Sequence, residues 1–237
     1  MSDPSDDADW RSALFIDTFS RSLRLSPLKA AVTWWSKATL LLLNVPLVWV
    51  ITGGNTDPCP RQWPVMLCTG SFVARVLVQM AVFWSRSIPW KEVWLEAGGI
   101  IPLSVASLAL GATRRPRASC WSLGGALMLF YGGTWLNVWP EYQRHRWKQE
   151  PGHEGRLFTG GLWSVVRHIN YTGEMLSFLG FSWVTGAVWT LWVPTVMSLG
   201  LATVSVREIE FYLAGKYGEE WKEYVSRVRH VMLPGLW

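Results

Sequence analysis

Apolar residues in this chain gather into long runs separated by short polar connections. The runs lie at positions 38–52, 64–84, 97–112, 119–139, 173–188 and 189–206. They lack the period-2 alternation of barrel strands. In lipid every backbone amide and carbonyl must be satisfied within a helix or a closed barrel, so such runs predict helices. The last two runs adjoin with almost no linker, and as one straight helix at about 1.5 Å per residue they would overshoot the bilayer. A helical hairpin is expected there, with Gly186 and Pro194 marking the bend. The expected architecture is all-α: a polytopic integral membrane helical bundle of about six transmembrane helices, with a cytosol-facing polar loop and an amphipathic C-terminal helix. No internal repeat divides it. An N-terminal tail over 1–37 is expected to precede a single membrane domain over 38–237, whose polar part begins near 140.

Composition supports the lipid reading. Half of the residues are hydrophobic and 16% are charged, against about 25% charged in soluble domains. Trp34, Trp35, Trp49, Trp63, Trp84, Trp90, Trp94, Trp139, Trp189 and Trp192 sit near the ends of runs, where an indole is buried while its N–H stays wet. The net charge of +5 resides mostly between runs, which suits topology and anionic headgroups rather than nucleic acid. Arg21, Arg24, Lys29 and Lys37, then Arg86 and Lys91, then Arg144 to Arg167, then the basic tail all fall on one side if the crossings are even in number. Both termini are then cytosolic, in the endoplasmic reticulum or another internal membrane. Arg114, Arg115 and Arg117 depart from that rule. The acidic start fits neither a secretory signal nor a transit peptide. Residues 12–28 read as a surface-lying amphipathic helix or as a frayed tail. Cys59, Cys68 and Cys120 show no metal spacing. Arg75 is a charge inside a run: such a residue is a functional candidate, or it snorkels or pairs for packing.

The reactive groups concentrate in 141–171 and 207–237. Arg144 and Lys148, four apart after the fourth run, share a helix face. Two cations side by side call for an anion, and phosphate suits them; a juxtamembrane anchor is the plainer reading. Gly160-Gly161 permits a tight turn. Arg167, His168, Asn170, Tyr171 and Glu174 follow within eight residues as apolar sequence resumes. Burying so many polar groups at a membrane boundary is costly unless they pair or line a wet cavity. His168 is suited to proton transfer, and Glu174 is placed to share a face with Asn170 and Tyr171. Glu208 and Glu210 close the last run, and are placed to pair with Arg167 or Arg144, to bind a cofactor amine or ribose, or to cap a helix. Gly218 reads as a helix stop, and 219–227 as an amphipathic helix with Trp221 and Tyr224 toward the membrane. No Ser/His/Asp order, zinc spacing, Walker loop or Rossmann glycine signature is present.

Together these stretches resemble the C-terminal half of the membrane sterol reductases and the short steroid 5α-reductase-like proteins. The residues that carry the resemblance are Gln143-Arg144-His145-Arg146-Trp147-Lys148, Gly161-Leu162-Trp163, Arg167-His168-Ile169-Asn170-Tyr171-Thr172-Gly173-Glu174, Lys216-Tyr217-Gly218, Trp221 with Tyr224, and Pro234-Gly235-Leu236-Trp237. The resemblance implies an NADPH-dependent oxidoreductase of lipid metabolism. It would reduce a carbon–carbon double bond in a lipid or sterol-like substrate that enters from the bilayer. Arg144 and Lys148 would meet the cofactor phosphates. Gln143, Trp163, Arg167, His168, Asn170, Tyr171, Glu208, Glu210, Tyr217, Trp221 and Tyr224 would complete the cofactor site, with His168, Tyr171 and Glu174 as the catalytic set. The chain departs from the family where Ser205 and Ile209 stand in place of an Arg and an Asp, and where Ile169 follows Arg-His in place of the usual Pro.

The same layout resembles the isoprenylcysteine and phospholipid methyltransferases, whose cofactor is S-adenosylmethionine. That cation lacks phosphates and wants carboxylates, which Glu208 and Glu210 would supply; the basic stretch 143–148 favours NADPH. A non-catalytic subunit of a larger membrane assembly is the third reading.

Overall fold

The computed structural model describes Trp35 and residues 61–83, 100–113 and 119–235. The expected surface helix over 12–28, the first apolar run, and the connections with Arg86, Lys91, Arg114, Arg115 and Arg117 lie outside the described residues.

The described elements are helical throughout. Helix α1 (Gln62–Val78) runs into a π turn at Gln79–Phe83, and α2 (Ile100–Thr113) follows. Helix α3 (Cys120–Lys148) leads through a 3₁₀ turn at Gly161–Ser164 to α4 (Ile169–Thr185). A second 3₁₀ turn (Val188–Leu191) opens α5 (Trp192–Gly200), which passes through a π turn at Leu201–Ser205 into α6 (Val206–Tyr217); α7 (Glu219–Arg227) comes last.

The six-span bundle is not what forms. Among the described residues two helices are long and apolar enough to cross a membrane, Trp63–Phe83 and Val188–Tyr217. The third run gives only the short apolar helix Leu103–Ala112. The fourth becomes α3, whose apolar residues are diluted by Gly, Ser, Asn, Trp and Tyr before a charged C-terminal third. The fifth becomes α4, 17 residues long, with Asn170, Glu174, Ser177 and Ser182 along it. The bend between the last two runs falls at Gly186 (φ 68°). Pro194 instead occupies the first turn of α5, where its missing amide would have been unpaired anyway.

Helices α3 and α4 make the most extensive contact among the described elements, and their sequences show why. A Cβ added at Gly133 would lie 2.4 Å from the Ser177 amide nitrogen, one at Gly173 2.4 Å from that of Asn137, and one at Gly180 2.4 Å from that of Phe130. The two backbones therefore touch, the arrangement that small residues permit between apolar helices. Helices α1, α2 and α5 complete a core of Cys68, Phe72, Leu108, Phe130, Phe178, Phe181 and Val193. Phe72 meets Phe178 at 5.5 Å between ring centroids, and Phe130 meets Phe181 at 5.7 Å. Arg61 donates to the Val184 carbonyl at 2.9 Å, placing a cation at the negative end of α4.

Gly218 (φ 52°, ψ −114°) separates α6 from α7, a backbone conformation that side-chain-bearing residues rarely adopt. Helix α7 is amphipathic as expected, but its aromatic side does not face lipid. Trp221 and Tyr224 are buried with Val228 against Leu157, Leu213, Tyr217 and Val225. The segment leading to the 3₁₀ turn supplies an apolar surface, which an amphipathic pattern cannot distinguish from a bilayer.

Candidate functional site

The site is assembled where α3, the turn before α4, α6 and the C-terminal tail converge. Its first part is a corner built on the polar end of α3. Pro140 lies within α3, and its carbonyl accepts from Trp163 Nε1 at 3.1 Å. That bond anchors the 3₁₀ turn, and Tyr224 OH donates to the Trp163 carbonyl at 2.7 Å from the other side. Glu141 is buried; its carboxylate accepts from Arg144 Nη2 and, at 3.1 Å, from Asn170 Nδ2. The Arg144 guanidinium lies 5.5 Å from the Trp163 ring centroid. Lys148 Nζ donates to Tyr217 OH at 2.9 Å, and Lys216 lies 5.0 Å from the Tyr217 ring. The buried oxygens Gln143 Oε1 and Asn170 Oδ1 have no hydrogen-bond partner among the described residues.

The second part is a charged knot at the start of α4. Glu210 Oε1 accepts from Arg167 Nε at 2.9 Å and lies 3.2 Å from His168 Nε2. The π turn at 201–205 precedes Glu210 by one turn of helix. Such turns re-phase the residues that follow them and recur at functional sites. Arg167 Nη1 donates to the carbonyls of Val228 (2.9 Å) and Arg229 (3.3 Å). The Arg167 and His168 amides bond to the carbonyls of His230 and Val231 at 3.0 and 2.8 Å, and Thr172 Oγ1 donates to that of Met232. The tail thus runs beside 167–172 and satisfies it. Tyr171 stacks on His168, with centroids 5.4 Å apart and planes 10° from parallel. Burial raises the Tyr224 hydroxyl pKa above the ordinary tyrosine value, so this group stays a donor.

The structure brings Gln143, Arg144, Trp163, Asn170 and Tyr224 to the corner, His168, Arg167, Tyr171 and Glu210 to the knot, and Lys148 to Tyr217 beside them. Trp221 packs beneath Tyr224 at 5.5 Å between centroids. Glu174 points elsewhere, to Arg75 on α1 (Nη1 to Oε2, 2.7 Å). Sequence reasoning missed Glu141 and Asn137, although lone polar residues in or beside apolar runs are the signal that marks them. Among the described residues there is no cluster of three or more His, Cys, Asp or Glu suited to a metal ion.

These features define an all-helical, membrane-associated protein whose candidate site lies at the C-terminal end of α3 and the start of α4. A family model described as a protein of unknown function (DUF1295) matches residues 97–228, more than half of the chain, and the protein belongs to this family. The resemblance to the sterol reductases holds as well. The chain is 35% identical over 86 residues to the 7-dehydrocholesterol reductase of Xenopus laevis, a match covering 35% of this chain and 18% of that one. It is 31% identical over 86 residues to the enzyme of the same name from Danio rerio, with the same coverage. It is 25% identical over 122 residues to the Delta(14)-sterol reductase of Dictyostelium discoideum, covering 44% of this chain and 26% of that one. The chain matches about a fifth to a quarter of the length of these relatives.

Proposed function

We propose that the protein is a membrane-embedded, NADPH-dependent reductase of a carbon–carbon double bond in a lipid or sterol-like substrate. The relatives' names support the reaction class. The observation that carries the cofactor reading is the corner at Arg144. It offers cations, Arg144 and Lys148, beside two buried acceptors without partners among the described residues, Gln143 Oε1 and Asn170 Oδ1. A nicotinamide dinucleotide carries both complements: phosphates for the cations, and amide and ribose donors for the acceptors. Gly161 matters here, because a Cβ on it would come within 2.7 Å of Gln143 Oε1.

Arg144 and Lys148 hold phosphate, while Gln143, Trp163 and Asn170 line the corner. Tyr217, Trp221 and Tyr224 form the wall that keeps the 3₁₀ turn in place, and Glu208 stands near the start of α6. When bound, NADPH supplies a hydride. The companion proton belongs to the stacked pair His168 and Tyr171; Glu210 orients the imidazole through Nε2, and Arg167 fixes Glu210 in turn. The Glu210 carboxylate is engaged by Arg167 and His168 together, which lessens its use to a cationic cofactor. The basic end of α3 suits a cytosol-facing site on a multi-pass protein of an internal membrane such as the endoplasmic reticulum.

The test is binding by purified protein in detergent, NADPH against S-adenosylmethionine. NADPH binding weakened about 10-fold or more by Arg144→Ala is expected, since a charge-assisted bond contributes about 1.5–3 kcal/mol. S-adenosylmethionine binding that survives Arg144→Ala and is lost in Glu208→Ala moves the protein to the methyltransferases. Binding of neither by folded protein supports a non-catalytic subunit.

A further inference from the structure

A second set of polar groups lies along α1, and the proposed reaction does not draw on it. Ser71 and Arg75 on α1 and Gln79 just past its end are spaced four residues apart and share one face, within the apolar stretch Trp63–Phe83. Each meets a polar partner. Ser71 Oγ lies 2.9 Å from Tyr131 OH, Arg75 pairs with Glu174, and Gln79 Nε2 donates to Asn137 Oδ1 at 2.6 Å. The π turn of α1 begins at Gln79. Arg75 is 5% exposed, so its charge is answered by protein rather than water.

The hydrogen bonds of this set have a direction. Glu174 Oε1 accepts from Arg75 Nη2 at 2.8 Å, and Oε2 accepts from Asn137 Nδ2 at 3.0 Å and forms an ion pair with Arg75 Nη1 at 2.7 Å. Two N–H donors and the rest of the guanidinium charge converge on the two oxygens, which is the work of an acceptor-only carboxylate. The Asn137 amide is fixed equally firmly. Its oxygen takes Gln79, and its nitrogen serves both Glu174 and, at 2.9 Å, the carbonyl of Asn170. Turned over, it would oppose donor to donor and acceptor to acceptor. Asn170 in turn spends its Nδ2 on Glu141, which leaves Oδ1 for a ligand. A continuous chain therefore runs from Arg75 through Glu174 and Asn137 to Asn170.

We infer that Arg75 and Asn137 are positioning residues for the candidate site, and that Glu174 is the anchor on which they act rather than a proton donor. The inference rests on the reading that Asn170 belongs to the cofactor site. It also gives α1 a role in that site. This helix precedes the family-matched segment 97–228, yet its arginine fixes a residue of the matched segment's polar motif.

The test uses the full chain in detergent and reads amide exchange by mass spectrometry, NADPH binding and the pH profile of turnover. Arg75→Gln/Glu174→Gln leaves no unpaired charge between the helices. In it, exchange across 170–174 is expected to rise about 10-fold or more while 219–227 keeps the wild-type rate. Asn137→Leu is expected to do the same, and both to weaken NADPH binding. Glu174→Gln alone is expected to raise KM while the pH profile keeps its wild-type limbs. Wild-type exchange across 170–174 in both the double variant and Asn137→Leu overturns the positioning role. Loss of a limb of the pH profile in Glu174→Gln overturns the anchor role. Wild-type protein that binds no NADPH sinks the reductase reading instead, and the exchange comparison still decides this one.

Discussion

Glu210 meets two basic side chains at a single oxygen, and the two it meets are almost wholly inside the protein. Arg167 is 9% exposed and His168 is 3% exposed. Removing the carboxylate leaves a buried guanidinium with backbone carbonyls alone as partners, and that asymmetry sets the expected cost. Glu210→Ala should lower unfolding stability by about 2–3 kcal/mol. Glu210→Gln, which keeps an acceptor for Arg167 Nε, should cost less; denaturant titration in detergent compares them. Tyr224 gives the pH counterpart. Its hydroxyl donates to the Trp163 carbonyl from a buried position, and burial raises its pKa above the unfolded value of about 10. The folded state therefore holds this proton more tightly than the unfolded one. The stabilisation is fully present below the unfolded pKa and is lost as pH rises through and beyond it. Tyr224→Phe should be less stable by about 1–2 kcal/mol at neutral pH and should lose part of the wild-type decline above pH ~10. An unchanged alkaline slope would show that this hydroxyl does not set it.

At the scale of elements, the seam between α3 and α4 determines whether the site forms. Gly173 sits one residue before Glu174, and a Cβ there would strike the Asn137 backbone at 2.4 Å. Neither backbone can yield without separating the helices. Gly173→Ala should therefore destabilise by about 1–3 kcal/mol, and it should displace Asn137 from Glu174. Gly132 is the control: a Cβ there meets nothing within 4 Å, so Gly132→Ala should be neutral or stabilising by up to about 1 kcal/mol. Thermal unfolding of the two variants side by side decides it. The same seam shows what the sequence makes legible. The polar cluster 167–174 and the helix stop at Gly218 are readable because local spacing and backbone freedom fix them. The partners of Arg75 are not, since Glu174 is 99 residues away and a charge in an apolar run does not name its counter-ion. The count of spans fails for a related reason. Apolar composition marks α4 for burial, but burial against α3 and burial in lipid leave the same trace in a sequence. The orientation of Trp221 and Tyr224 is misread on that ground too.

At the scale of the whole molecule, the C-terminal tail closes the site by pairing with 167–172. Residues 228–232 give carbonyls to the backbone of Arg167 and His168, to the Arg167 guanidinium and to Thr172. Met232 is 1% exposed, so an apolar plug locks the end of this strap. The strap and the Arg75 chain grip one short segment at different residues, the strap at 167, 168 and 172 and the Arg75 chain at 170 and 174. Two independent clamps should give separable effects, because mutations without shared partners add within about 0.5 kcal/mol. Met232→Ala removes most of a fully buried side chain, and large-to-small changes of that kind cost about 2–5 kcal/mol. The expected result is faster amide exchange at 167–168 and at 172, the positions bonded to the tail, with the Arg75–Glu174 pair undisturbed. Combined with Asn137→Leu, the loss of stability should equal the sum of the two single losses. A sum that exceeds or falls short of additivity by more than about 1 kcal/mol would mean that tail and α1 act through one shared element, and the first turn of α4 would then open and close as a unit.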